Sequence, residues 1–133
     1  MGISKVLLVD DGGCFRRATA NILNTDGFVV IALDSQKVTP EVVAQKKPDL
    51  ILCGLDMVVG GIAISKILAA DERTENIPFV LMSFMRRENW PIGTGLDELE
   101  TSRKTKLYFL QKSTIPEIFL SRFCELVSTL ENL

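Results

Sequence analysis

Five short runs rich in Val, Leu and Ile, at positions 5–9, 28–33, 50–54, 79–83 and 107–110, are separated by segments in which apolar residues return at helical spacing. A strand that is apolar almost without interruption must be covered on both faces. The intervening helices supply those covers, so the alternation predicts a parallel sheet in an α/β fold. Between the first two runs, Phe15, Ala18, Ile22 and Leu23 mark a helix that stops at Asp26-Gly27. Thr39-Pro40-Glu41 opens a second, short helix, with threonine as its cap and proline in its first turn, ending by Pro48. A third runs over about 61–70 and contributes Ile62, Ile64, Ile67 and Leu68. The last opens on Thr114-Ile115-Pro116-Glu117, which reads as a capping box. Ile115, Ile118, Phe119, Phe123, Leu126, Val127 and Leu130 then form one apolar stripe.

The pattern weakens over 84–106. Pro91, Gly93 and Gly95 indicate a loop, followed by a polar helix, the fourth in order, with only Leu96 and Leu99 to bury. This stretch is expected to be mobile, with Trp90 as a hook that holds the loop to the body.

A length of 133 residues fits one domain, 1–133, and an apolar fraction of 47% is enough for a two-sided core. The N-terminus lacks a signal-like apolar segment, and no run is long enough to span a bilayer, so a cytoplasmic chain without membrane attachment is the expectation. Gly2 does not begin a myristoylation signal, because Val6 stands where Ser or Thr is required. The absence of histidine excludes a histidine phosphotransfer module, a Ser-His-Asp hydrolase and histidine-ligated zinc. With a net charge of −2 and basic residues scattered in pairs such as Arg16-Arg17, direct nucleic-acid binding is not expected either. Both arginines of that pair read as solvent-facing. Cys14, Cys53 and Cys124 are too far apart for a metal pair, and Cys53 and Cys124 read as core residues. Gly12-Gly13 lacks the Lys-Ser/Thr ending of a phosphate loop and reads as a tight strand-to-helix turn.

The run Pro48-Asp49-Leu50-Ile51-Leu52-Cys53-Gly54-Leu55-Asp56-Met57 stands between Asp10-Asp11, after the first apolar run, and Lys112, just past the fifth. Together these resemble the receiver domain of bacterial two-component response regulators, over almost the whole chain. The resemblance implies a flavodoxin-like, doubly wound five-stranded parallel sheet of order 2-1-3-4-5 with helices on both faces. It places the site outside the C-terminal ends of the strands. There it implies a magnesium ion on Asp10 and Asp11, with the backbone at Asp56 as a further ligand. Ser83 would bond a phosphoryl oxygen, Lys112 would pair with the phosphoaspartate, and Phe109 would be the aromatic whose rotamer reports the switch. Six residues after Pro48, where the family carries the aspartate that accepts the phosphoryl group, this chain has Gly54.

Other departures accompany it: Gly12 follows the acidic pair, Val58-Val59-Gly60-Gly61 replaces a proline-containing turn and is one residue short, and Ser113 replaces a proline after the lysine. Glycine offers neither a nucleophile nor a metal ligand, so aspartyl phosphorylation at position 54 is chemically closed. Lys112, without a phosphoaspartate, is free to bridge to Asp10 or Asp11. Two remaining carboxylates would make only a weak magnesium site.

The expectation is therefore a degenerate receiver, or pseudo-receiver, that is not an enzyme and acts as a protein-interaction module. Its partner would dock on the face of helix four, strand five and helix five, with a homodimer as the simplest case. The alternative is a phosphorylation-dependent receiver that uses Asp56 as a displaced acceptor with magnesium and a sensor kinase as donor. If strand three continues to Asp56, its side chain faces the same side as position 54, although about 6–7 Å further along. A small α/β enzyme or nucleotide binder has no nucleophile–base pair or phosphate loop to support it.

Overall fold

Each apolar run forms a strand: β1 (Lys5–Val9), β2 (Val29–Leu33), β3 (Leu50–Gly54), β4 (Phe79–Ser83) and β5 (Leu107–Gln111). The structure is a computed structural model and describes residues 2–90, 103 and 105–133. The strands are all parallel in the order β2-β1-β3-β4-β5, the doubly wound arrangement in which the chain reverses direction on either side of β1. Helices α1 (Gly13–Thr25), α2 (Pro40–Lys46), α3 (Gly61–Ala69) and α4 (Pro116–Glu131) connect or follow them. The helix expected around Leu96 and Leu99 falls outside the described residues, so the last helix is α4.

Strand alternation sorts the core into two layers. Leu7, Val9, Ile51, Cys53, Phe79 and Leu81 point to the face covered by Val43 of α2 and by Ile64 and Leu68 of α3. Val6, Leu8, Leu50, Leu52, Val80 and Met82 point to the face covered by Leu23 of α1 and by Phe119, Phe123 and Val127 of α4. The central strands β1, β3 and β4 are buried at nearly every position, whereas β2, at the sheet edge, leaves Val29 exposed.

The helix termini follow their local chemistry. Thr39 caps α2 by accepting a hydrogen bond from the Val42 N–H at 3.2 Å, and Pro40 follows as the first helical residue. α1 ends against Gly27, whose φ of 102° suits glycine. The capping box expected at Thr114 does not form. α4 begins one residue later, at Pro116, with Ile115 as its cap position, and it is Ser113 Oγ that accepts from the Ile115 N–H at 3.1 Å. Three residues of the expected apolar stripes are on the surface: Ile67 of α3, Ile118 of α4 and Ile115 before it are all exposed. Cys124 is also not a core residue; it is half-buried on α4, and its thiol lies 3.6 Å from Asp26 Oδ2 at the end of α1.

Candidate functional site

Parallel topology puts the loops after β1, β3, β4 and β5 at one end of the sheet, and the residues singled out in the sequence collect there. Asp10 follows β1, is 3% exposed and receives the Lys112 ammonium at 2.7 Å through Oδ2 and the Gly12 N–H at 2.8 Å through Oδ1. The Lys112 side chain is largely buried, with its nitrogen 4.5 Å from the centre of the Phe15 ring and 5.4 Å from that of Phe84. A cation so enclosed is held by a carboxylate on one side and ring faces on the other.

Gly54 ends β3 directly beside this pair. A Cβ built there would lie 3.3 Å from Asp10 Oδ2, the oxygen that holds Lys112, and 3.4 Å from Cγ and Sδ of Met57. A carboxylate at position 54 would therefore enter a space bounded by an existing ion pair and a methionine. The start of α3 is equally close: a Cβ on Gly61 would come within 2.2 Å of the Gly54 carbonyl oxygen, so only glycine allows the helix to pack onto the strand end.

Asp11 is engaged elsewhere. Its Oδ1 accepts from the Ser35 N–H at 2.8 Å, and its Oδ2 accepts from the Ser35 hydroxyl at 2.7 Å and the Val58 N–H at 3.0 Å. Burial pushes the Asp11 carboxyl up, but the hydrogen bonds from Ser35 and Val58, with the nearby Arg16 charge, outweigh it and hold the group below the usual carboxylate range. Ser35 Oγ accepts in turn from the Val59 N–H at 3.1 Å. Arg16 donates to the Asp10 carbonyl at 3.2 Å and pairs with Asp34, so it is part of this rim and not the solvent-facing residue expected from its pairing with Arg17.

Ser83 ends β4, is 5% exposed, and accepts from the Met85 N–H at 3.1 Å. Its carbonyl accepts from the Lys112 N–H at 2.8 Å, which joins the β4 and β5 ends. Phe109 lies half-buried on β5, edge-on to Trp90 with ring centres 5.4 Å apart and with the Arg87 guanidinium 4.7 Å from its own centre. Trp90 is 7% exposed and donates its indole N–H to the Met85 carbonyl at 3.1 Å, the hook expected from the sequence. Asp56 departs from expectation in one respect. β3 stops at Gly54, so strand alternation does not reach Asp56, which lies exposed in the following bend. Cys53 sits fully buried one residue before Gly54, where burial, with Asp10 nearby, pushes its thiol far up and leaves it unreactive.

The sequence did not single out Ser35, Met57 or Phe84 for this rim. Ser35 carries no pattern of its own in the sequence, and its side-chain partners, Asp11 and Val59, are each 24 positions away.

The model of the response regulator receiver domain matches residues 6–94, from β1 to beyond β4. The chain belongs to that family. Solved structures similar to it include the chemotaxis protein CheY4 of Vibrio cholerae, at 19% identity and a TM-score of 0.72, covering 95% of this chain and 99% of that one. Another is the receiver domain of a signal transduction histidine kinase from Syntrophus aciditrophicus, at 18% identity and a TM-score of 0.71, covering 98% of this chain and 94% of that one. A two-component response regulator from Clostridium difficile aligns at 18% identity and a TM-score of 0.64, over 96% of this chain and 98% of that one. No curated protein sequence matches the chain. At these identities the structures establish the fold, and the family model establishes a receiver domain, a signalling module of two-component systems that works through other proteins. Among the described residues no helix is long and apolar enough to cross a membrane.

Proposed function

We propose that this chain is a pseudo-receiver: a single receiver-like unit, without enzymatic activity, that has kept the family scaffold and lost the phosphoacceptor at Gly54. The observation that carries the reading is the Lys112–Asp10 pair at 2.7 Å beside Gly54. The lysine that would meet an aspartyl phosphate is already paired with Asp10, and no nucleophile stands at the end of β3. Without a phosphoryl group, its conformations are biased only by something that binds them unequally. A protein partner is the natural agent, with a second copy of the chain as the simplest one.

The proposed docking face is that of β5 and its flanks. It is supported by a cleft of about 220 Å³ lined by Met85, Arg86, Trp90, Phe109 and Gln111, and by the exposed Ile115 and Ile118 near the start of α4. Ser83 and Phe109 would then couple the partner face to the rim without phosphate.

A second reading keeps phosphorylation and moves it to Asp56, with a sensor kinase as donor. Its support is the exposure of that carboxylate to an incoming donor. Incubation with acetyl phosphate and magnesium, followed by intact-mass measurement, separates the two. The pseudo-receiver gains no phosphoryl adduct, whereas an adduct that disappears in Asp56→Ala establishes the second reading.

A further inference from the structure

In the receiver family the acidic pair holds magnesium, an ion that needs carboxylate oxygens turned toward it in near-octahedral order. Here all four oxygens of Asp10 and Asp11 already accept from protein donors: Gly12 and Lys112 on Asp10, Ser35 and Val58 on Asp11. Gly54 adds no carboxylate. Among the described residues, no group of three or more Asp, Glu, His or Cys is arranged to hold a metal ion. A cation entering this site would have to displace an ammonium of the same sign from a buried carboxylate and break the bonds to Ser35 as well. The residues present do not fit the ion.

Resting on the pseudo-receiver reading, we infer that the site has exchanged its metal for an internal clasp. Lys112 on Asp10 ties the β5–α4 loop to the end of β1, and Ser35 with Val58 on Asp11 hold the β1–α1, β2–α2 and β3–α3 loops together, all without a cation. Ser35 is the hinge of this arrangement. It is 2% exposed, donates both its N–H and its O–H to Asp11, and accepts from Val59, so one residue fixes the acid and the Val58–Val59 turn at once. A metal bound to the pair would tie these same parts together, and charge-assisted hydrogen bonds achieve it permanently. The turn is thereby held in one geometry whatever the divalent cation concentration, with Val58 displayed to solvent at 73% exposure.

Amide NMR of the full chain, in EDTA and then through millimolar magnesium, with manganese as a paramagnetic probe, tests this. In the wild type the resonances of Gly12, Ser35, Val58 and Val59 should keep their positions, and manganese should not broaden them selectively. Lys112→Met frees Asp10 Oδ2, and Ser35→Ala removes one of the two donors on Asp11 Oδ2, leaving the Val58 N–H; the combined variant should bind magnesium at least about ten-fold more tightly than the wild type. Saturable shifts at Asp11, Ser35 and Val58 in the wild type, a measurement that needs no variant, overturn the clasp. So does a folded double variant that binds magnesium no better than the wild type. A wild type that binds magnesium yet takes no phosphoryl group overturns the clasp alone. One that takes a phosphoryl group overturns the reading beneath it.

Discussion

At the N-terminal ends of the strands, Asp49 accepts hydrogen bonds from the Ser4 and Lys5 N–H groups and from the Ser4 hydroxyl. At the C-terminal ends, Asp11 accepts from the Ser35 and Val58 N–H groups and from the Ser35 hydroxyl. The two carboxylates have the same donor set, two N–H groups and one serine hydroxyl, and both titrate below the usual carboxylate range. One lies at the end of the sheet where doubly wound folds carry no site, the other where they bind ligands. The likeness of the two rims supports the clasp proposed for Asp11, in which that acid serves as a loop staple. What still separates the rims is the buried ion pair of Asp10 and Lys112, which has no counterpart among the described residues at the other end.

The sharpest way to break the comparison is through that pair. Lys112→Met should strand a buried carboxylate and cost about 3–5 kcal/mol in urea unfolding, while combining it with Asp10→Leu should recover a large part of the loss. Gly61→Ala comes next. Its new Cβ meets the Gly54 carbonyl oxygen at 2.2 Å, so α3 must move off the strand end at a cost of about 2–3 kcal/mol by thermal or urea unfolding.

These two positions also mark how far the sequence was legible. The apolar runs located all five strands to within a residue at each end, because a strand buried on both faces leaves little freedom in its pattern. The convergence of Asp10, Gly54, Ser83 and Lys112 followed from their positions at the ends of parallel strands together with the sheet order that the resemblance implies. Contacts that depend on where a long side chain turns did not follow. Arg16 could have faced water at its helical position, but it reaches Asp34 and the Asp10 carbonyl. Ser35 has no local pattern that announces a partner 24 residues earlier. Asp56 was placed by extending strand period two residues too far, past the point at which the chain leaves the sheet to let Gly61 approach.

Smaller effects sharpen the comparison. Asp11→Ala leaves the buried Ser35 hydroxyl and the Val58 N–H without their acceptor, and should cost about 2 kcal/mol. Asp49→Ala, at an exposed position, should cost about 1 kcal/mol by the same denaturant measurement. The smallest effect is in pH. The folded-state pKa of Asp49 is depressed by hydrogen bonds from the Lys5 and Ser4 N–H groups. Its stabilisation is therefore fully present above the unfolded-state value of about 3.9 and is lost as pH falls through the lower folded value. The stability gap between wild type and Asp49→Asn should accordingly narrow as the solution is acidified below about pH 4. A gap that stays constant would mean that the carboxylate charge contributes nothing at that rim.

The most direct test of the central claim is a two-dimensional amide spectrum recorded with magnesium, and again with magnesium and beryllofluoride, the mimic of an aspartyl phosphate. A pseudo-receiver closed by Lys112 on Asp10 gives no shifts at Ser83, Phe109 or Lys112 when the mimic is added. Shifts that spread through those three residues would mean that a carboxylate has accepted it, with Asp56 as the acceptor to examine, and would contradict the account.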